Sequence, residues 1–221
     1  TDGEYHKTMR RIRRNRIGYF GLPGSFTHEV AQHSFAKHEL MPFHQMPSGF
    51  EQLRAGELDR IVVPFENSIG GAVPDTLDLL ILLENWESVF AIVGQMVYAI
   101  ELCLMSRARP EHIRRIYSHF VPMQVVRGWL EAAYPAAEKI IVGSTSAAAE
   151  QAAEDEAGAA VGNAAAARVY GLKLVARKLV PPSTNVTRFL VIGLHLGRRH
   201  SQAKGPQRAM AHLRLPNRSG S

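Results

Sequence analysis

The sequence contains a single cysteine and no long apolar run, and each shortage excludes a class of protein. Cys103 is the single cysteine among 221 residues, so the chain has neither an internal disulfide nor a paired-cysteine metal site. No apolar run reaches the roughly 18 residues of a membrane span, and no apolar signal segment follows the polar, basic first residues. We therefore expect a soluble, cytoplasmic protein that does not bind membranes, with Cys103 as a small core residue.

Positive charge is concentrated at the two ends of the chain. The formal net charge is +6, and the last 26 residues hold no acid but the basic residues Arg198, Arg199, Lys204, Arg208, Arg214 and Arg218. The sequence between the ends is slightly acidic and lacks the basic groove with interleaved aromatics that strand binding needs. We predict no nucleic-acid partner, a basic extension over 1–15 and a disordered basic tail over 196–221.

The common metal and nucleotide motifs are also missing from the sequence. The ten histidines are scattered, and no two of them flank a glutamate at the spacing of a helical zinc site. The turn from Gly21 to Gly24 lacks the third glycine of a dinucleotide site, and its Pro23 has no backbone amide to donate. We expect no metal and no cofactor.

Short apolar runs alternate with helical patterns between residues 16 and 195. The predicted strands are 17–20, 60–64, 113–118, 139–142, 172–180 and 189–192, and the predicted helices are 27–37 (capped by Thr27), 76–83, 123–133, 145–153 and 163–170. This alternation indicates an α/β chain with largely parallel sheets. Its two halves predict two lobes around a cleft, approximately 16–97 with 187–195, and 98–186.

Four predicted strand-to-helix turns are rich in Gly, Ser, Thr and Asn. They are 21–27, 66–71, 118–123 and 143–146. In open α/β sheets ligands bind beyond the carboxyl ends of the strands, where helix N-termini supply amide donors and a positive dipole end. The need to cap a helix explains the composition of any one of these turns. Four such turns facing the same way favour an anion-binding site.

The segment Thr187-Arg188-Phe189 precedes a short apolar run, Leu190 to Gly193, that is typical of a buried strand. An arginine side chain grips a carboxylate with two parallel hydrogen bonds and keeps its charge. A surface salt bridge is the alternative. We interpret Arg188 as a ligand for a small anionic substrate and the neighbouring hydroxyl of Thr187 as a proton donor.

Several separated motifs, in the same order, resemble the catalytic domain of the prephenate dehydratase family over roughly 16–193. They are the Asn185 to Gly193 segment, Val63 to Ile69, Thr76 to Leu80, Tyr117 to His119, Ser144-Thr145 with the alanines 147–149, and Tyr170 to Leu172. The resemblance implies an α/β fold of two lobes, similar to type II periplasmic binding proteins.

The resemblance also implies a reaction and its residues. Prephenate loses carbon dioxide and its ring hydroxyl to give phenylpyruvate, a step of phenylalanine biosynthesis that needs no cofactor. Thr187 would be the general acid for the departing hydroxide and Arg188 would orient a carboxylate. The implied substrate-binding residues are Asn67, Ser68, Ser144, Thr145, Asn185 and Phe189. Family members often pair their subunits, which leaves a homodimer open.

The sequence departs from the family pattern at several places. Gly70 stands where the family usually has a glutamate, Leu102 where it has a histidine, and Phe120-Val121 where it has Pro-Gln. We also expect no regulatory ACT domain. The retained Thr187 favours dehydration, whereas the altered pocket favours a non-aromatising prephenate decarboxylase. A binding module without turnover is the hypothesis from a different class.

Overall fold

The computed structural model describes residues 16–82, 89–181 and 184–195. The predicted basic extension and basic tail lie outside the described residues. In chain order the elements are β1 (Arg16–Phe20), α1 (Phe26–Ser34), β2 (Glu39–Phe43), α2 (Met46–Arg54), β3 (Arg60–Asn67), β4 (Gly71–Ala72), α3 (Pro74–Leu82), β5 (Phe90–Ala99), β6 (Cys103–Ser106), a 3-10 turn (Pro110–His112), β7 (Arg115–Ser118), α4 (Phe120–Val125), α5 (Arg127–Ala133), β8 (Glu138–Ile141), α6 (Thr145–Glu154), β9 (Gly158–Gly162), α7 (Ala164–Val169), β10 (Lys173–Ala176) and β11 (Val186–Leu194). They form two sheets, as the two halves of the sequence predict.

The first sheet has the strand order β2-β1-β3-β11-β5, and the short β4 pairs with β3. Strand β1 runs parallel to β2 and β3, whereas β11 runs antiparallel to both β3 and β5. The chain therefore reaches this sheet twice, and β11 returns to its centre after the second sheet is complete. This return places residues near the end of the chain beside β3.

The second sheet has the order β10-β6-β9-β7-β8. Strand β7 is parallel to β8 and β9, but β6 is antiparallel to β9 and β10. Both sheets are therefore mixed, and the prediction of largely parallel sheets is wrong. A strand-helix alternation identifies the parallel units β1-α1-β2 and β7 to β9, but it does not show how strands that cross between lobes will pair.

Each face of the first sheet carries its own hydrophobic cluster. Phe189 and Val191 of β11 point towards α1 and pack with Ile17 and Val30, whereas the alternate residue Ile192 points towards α2. Successive side chains of a strand point to opposite faces, so one strand supplies both clusters. Phe189 is 1% exposed, and truncating such a ring costs about 3–5 kcal/mol of stability.

Several element boundaries differ from the sequence predictions. Helix α1 is capped by Ser25, whose Oγ accepts from the backbone amide of His28, so the predicted cap Thr27 is wrong. The predicted helix 123–133 is divided into α4 and α5 at Val126, and the predicted strand 172–180 is shortened to β10. Strand β11 begins at Val186, which places Thr187 within the strand.

Several elements were not predicted, and three of them contain residues that weaken their signal. Strand β2 contains Pro42, which is tolerated because β2 is an edge strand of the described sheet. Helix α2 contains Pro47 and Gly49, and strand β9 consists of small residues although all five are buried. Cys103 is buried in β6, as predicted, and burial raises the pKa of its thiol to about 11.

Candidate functional site

Thr187 and Asn67 face each other across the β11 and β3 strands, close to the end of β3. The Nδ2 group of Asn67 donates to Thr187 Oγ1 over 2.8 Å and to Asn185 Oδ1 over 2.6 Å. Thr187 is 8% exposed and Asn185 2% exposed, so both hydrogen bonds are largely shielded from water. Three of the predicted site residues are thus brought together by the return of β11 to the first sheet.

The turn between β3 and β4 fixes the orientation of the Asn67 amide. Asn67 Oδ1 accepts from the backbone amides of Ile69 (3.0 Å) and Gly70 (2.8 Å). Because an amide oxygen is needed there, the Nδ2 group must point at Thr187 and Asn185. The oxygen of Thr187 therefore receives a hydrogen bond, which leaves its own proton free to be donated.

Ser68 ties the end of β3 to the start of β11. Its backbone amide donates to the carbonyl of Val186 over 2.8 Å, and its Oγ accepts from the Val186 amide over 3.0 Å. The residue itself is exposed. Ser68 is therefore close to Thr187 in the fold and keeps a hydroxyl proton available for an oxygen of a ligand.

Arg188 and Phe189 do not face this pocket. Because neighbouring residues alternate along β11, the Arg188 side chain lies on the face opposite Thr187, at 3.6 Å from Glu66 Oε2. Phe189 returns to the Thr187 face but is enclosed in the core. These placements correct the predicted roles: Arg188 pairs with Glu66 rather than with an anion in the Thr187 pocket, and Phe189 is a packing residue.

The predicted residues of the second lobe lie at the N-terminus of α6. Ser144 is the N-cap, and its Oγ accepts from the Ala147 amide over 3.0 Å. Thr145 follows it, is 8% exposed and lies against Gly162 at the end of β9. A ten-residue helix directs partial positive charge towards this end, which favours a carboxylate there.

Two further polar groups near this helix end were missed by sequence reasoning. Ser146 Oγ and Asn163 Nδ2 are buried and have no hydrogen-bond partner among the described residues. Asn163 caps α7 through its Oδ1, which accepts from Ala166. The Ser-Thr-Ser run before an alanine-rich helix is the signal that marks Ser146, whereas Asn163 resembles an ordinary helix cap.

Tyr98 is a second neighbour of Thr187 that the sequence did not reveal. It lies directly opposite Thr187 on β5, and its hydroxyl is close enough to the carboxyl group of Glu29 on α1 to influence the pKa of that group. Burial raises the pKa of Glu29, and burial together with the Glu29 charge raises the pKa of Tyr98. The surroundings of Thr187 on this side are therefore polar.

The two lobes touch at two places beside these residues. A Cβ placed on Gly24 would lie 3.0 Å from the Cα of Ala166, and Tyr170 reaches the carbonyl of Pro23. On the other side, a Cβ placed on Gly70 would lie 3.1 Å from Cγ2 of Val121. These contacts bring the turns after β1 and β3 against helices of the second lobe.

The described residues offer no metal centre and no membrane span. They contain no group of three or more His, Cys, Asp or Glu side chains placed to bind a metal ion. None of their helices is both long enough and apolar enough to cross a bilayer. The polar groups described around Thr187 and the α6 N-terminus are hydroxyl, amide and helix-end groups.

Comparison with known proteins decides the family. The family model "Prephenate dehydratase" matches residues 17–196. The chain belongs to the prephenate dehydratase family. It is 36% identical over 179 residues to the bifunctional chorismate mutase/prephenate dehydratase of Aquifex aeolicus, a match that covers 80% of this chain and 48% of that protein. The chain spans about half the length of the curated relatives it matches.

Solved structures confirm the predicted two-lobed α/β fold. The prephenate dehydratase of Arthrobacter aurescens, solved in complex with L-Phe, has a TM-score of 0.73 and 27% identity, covering 81% of this chain and 60% of that one. A protein described as GqqA, a quorum-quenching acylase, also has a TM-score of 0.73, with 26% identity over 87% of this chain and 67% of its own. Both the resemblance to prephenate dehydratases and the fold class are thereby confirmed.

Proposed function

We propose that this chain is a lyase that converts prephenate to phenylpyruvate, with Thr187 as the proton donor. The observation that carries the proposal is the Asn67 to Thr187 hydrogen bond. It occupies a lone pair of the threonine oxygen and turns the hydroxyl into a donor. The family relationship supplies the substrate class, and the site supplies the group that its reaction requires.

The proposed reaction breaks two bonds and transfers one proton. The bond between the ring and its carboxylate breaks and releases carbon dioxide, and that electron pair moves through the ring. The carbon-oxygen bond at the opposite ring position breaks, and the hydroxide leaves with its electron pair. Thr187 protonates it to water and regains a proton from solvent. Hydroxide is a poor leaving group, so a positioned donor in a shielded site is the help the reaction needs.

We assign the remaining oxygens of prephenate to the N-terminus of α6 and to Ser68. Ser144, Thr145 and the orphaned Ser146 hydroxyl surround a helix end that favours a carboxylate. Asn185 acts through Asn67 rather than on the substrate. We further propose that residues 16–195 form one catalytic unit with two lobes, each built from one of the two sheets and its helices. We propose that this unit works without a metal or cofactor.

The deciding experiment compares Thr187→Ala with Thr187→Ser and the parent protein. Prephenate is supplied at neutral pH, and the product is followed by ultraviolet absorbance and mass. Removing the donor lowers kcat by about 10²–10³, as with other transition-state hydrogen bonds, whereas Thr187→Ser keeps the hydroxyl and most of the rate. An unchanged rate in Thr187→Ala would remove Thr187 from the mechanism.

The same assay tests the alternative hypothesis, a non-aromatising prephenate decarboxylase. Gly70 and Val121, which lie near Asn67, favour this alternative because the family pattern has polar residues at these two positions. A product that has lost carbon dioxide but kept the ring oxygen would establish that alternative. A saturable rise in melting temperature without turnover would establish a binding module instead.

A further inference from the structure

Val121 lies beside the turn that orients Asn67, although the two belong to different lobes. Val121 is in the first turn of α4, next to the second sheet, and its Cγ2 lies 3.1 Å from the position of a Cβ on Gly70. That Cβ would also lie 3.5 Å from Asn67 Oδ1. The absence of a side chain at residue 70 is what allows Val121 to approach the turn this closely.

The turn transmits the position of Gly70 to Thr187 through two hydrogen bonds. The Gly70 amide donates to Asn67 Oδ1 over 2.8 Å, and the opposite end of the same planar amide donates to Thr187 Oγ1 over 2.8 Å. A planar amide moves as one body, so a displacement of the turn rotates Nδ2 away from the threonine. The contact with Val121 limits that displacement from the side of the second lobe.

Gly70 and Val121 are distant in sequence, yet the fold brings them together at the boundary between the two lobes. A residue without a side chain is matched there to a branched apolar side chain. The pair therefore forms a size-matched apolar site.

We propose that Val121 is a positioning residue: seated on Gly70, it fixes the 67–70 turn and thereby aims the Thr187 hydroxyl at the substrate. The proposal rests on the proposed function of Thr187 and adds a residue of the other lobe to it. Val121 acts through Gly70 and Asn67, so it changes the chemical step more than it changes substrate binding.

The kinetic test is a cycle of Val121→Ala, Gly70→Ala and the double variant. The backbone of Gly70 is not in the left-handed region, so alanine is tolerated there apart from its contact. Each single change alters the fit and lowers kcat by about threefold to tenfold with little change in KM, whereas the double variant restores the fit and returns kcat to within about twofold of the parent. A double variant no faster than the slower single variant would overturn the matched contact.

The second readout is the Asn67 side-chain amide signal in a nitrogen-proton NMR spectrum, identified by its loss in Asn67→Asp. It shifts in each single variant and returns in the double variant. Two controls leave it unchanged: Val97→Ala, whose side chain is 55% exposed on the other face of β5, and Gly128→Ala, where an added Cβ meets no atom within 4 Å. If Val121→Ala moves neither kcat nor this signal, the proposal is wrong.

The two readouts separate this proposal from the proposed function. If the parent protein does not turn over prephenate, the proposed function fails, and the amide signal alone decides whether Val121 positions Asn67. If turnover is present but Val121→Ala lowers only the melting temperature, Val121 is a packing residue and the positioning role is overturned.

Discussion

At the scale of single residues, the chemistry of the site depends on which end of the Asn67 side chain faces Thr187. Two backbone amides hold Oδ1, and this leaves Nδ2 as the donor to Thr187. An aspartate has the same shape but only acceptor oxygens when it is ionised. The direction of the hydrogen bond between Asn67 and Thr187 can therefore be tested by Asn67→Asp, which leaves the volume of the side chain nearly unchanged.

Asn67→Asp is expected to lower kcat by about 10²–10³ while the protein stays folded. The aspartate oxygen accepts the hydroxyl proton of Thr187, so the proton is directed away from the substrate. Steady-state kinetics on prephenate, with thermal melting as the folding control, measure the effect. A fully active Asn67→Asp variant would show that Thr187 does not depend on its neighbour as a donor.

Arg188 has an anionic partner, as its charge led us to expect, but in the structure the partner is Glu66 and not a substrate carboxylate. Sequence reasoning required an anion beside this cation, and the structure supplies Glu66 on the facing strand. Both side chains are about half exposed, so the pair contributes little to stability. In the strand register the Arg188 and Glu66 pair is next to the Thr187 and Asn67 pair. The ion pair therefore joins the ends of β3 and β11 and does not line the Thr187 site.

At the scale of elements, an ion pair fixes the loop between α6 and β9. Asp155 accepts from Arg115 Nε over 2.6 Å, from the Tyr117 hydroxyl over 2.9 Å and from the Ala157 amide over 3.0 Å. The Arg115 guanidinium is the main cause that lowers the pKa of Asp155 to about 2. The pair holds β7 to the loop that leads into β9, and these two strands carry α4 and α7.

Asp155→Asn is expected to lower the melting temperature by about 3 °C at pH 6. The folded-state pKa of Asp155 is depressed from 3.8, so its stabilisation is complete above pH 3.8 and is lost as the pH falls through about 2. Circular dichroism melts of parent and variant should therefore converge at low pH. Glu131→Gln, which removes an exposed pair with Arg127, is the control and should change nothing at either pH.

At the scale of the whole molecule, the two lobes approach each other closely at Gly24. Gly24 allows the turn before α1 to lie against α7, since a Cβ there would meet the backbone of Ala166. Its φ of 84° also lies in the left-handed region that favours glycine. Two separate costs therefore oppose any side chain at this position.

Gly24→Ala is expected to lower the free energy of unfolding by about 2–3 kcal/mol, through backbone strain and the clash between lobes. Gly71→Ala is the matched control: its φ is 77°, but an added Cβ meets no atom within 4 Å, so only about 1 kcal/mol is lost. Urea unfolding curves measure both. Equal losses in the two variants would mean that the lobes are not in contact at Gly24.

The local pattern of the sequence determined the two-lobed α/β organisation, the burial of Cys103 and most of the helices. Hydrophobic periodicity depends on residues a few positions apart, so it can be read from the chain directly. Family motifs marked Asn67, Ser68, Ser144, Thr145, Asn185 and Thr187, and the structure brings Asn67, Asn185 and Thr187 into direct contact.

Only the tertiary structure decided which neighbours these residues have. The antiparallel return of β11, the partner of Arg188, the burial of Phe189 and the contact of Val121 with Gly70 join residues far apart in sequence. Such contacts follow from strand order and from the approach of one lobe to the other, which local propensity does not specify. The sequence determines which chemical groups are present, and the packing of the two sheets determines which of them come together.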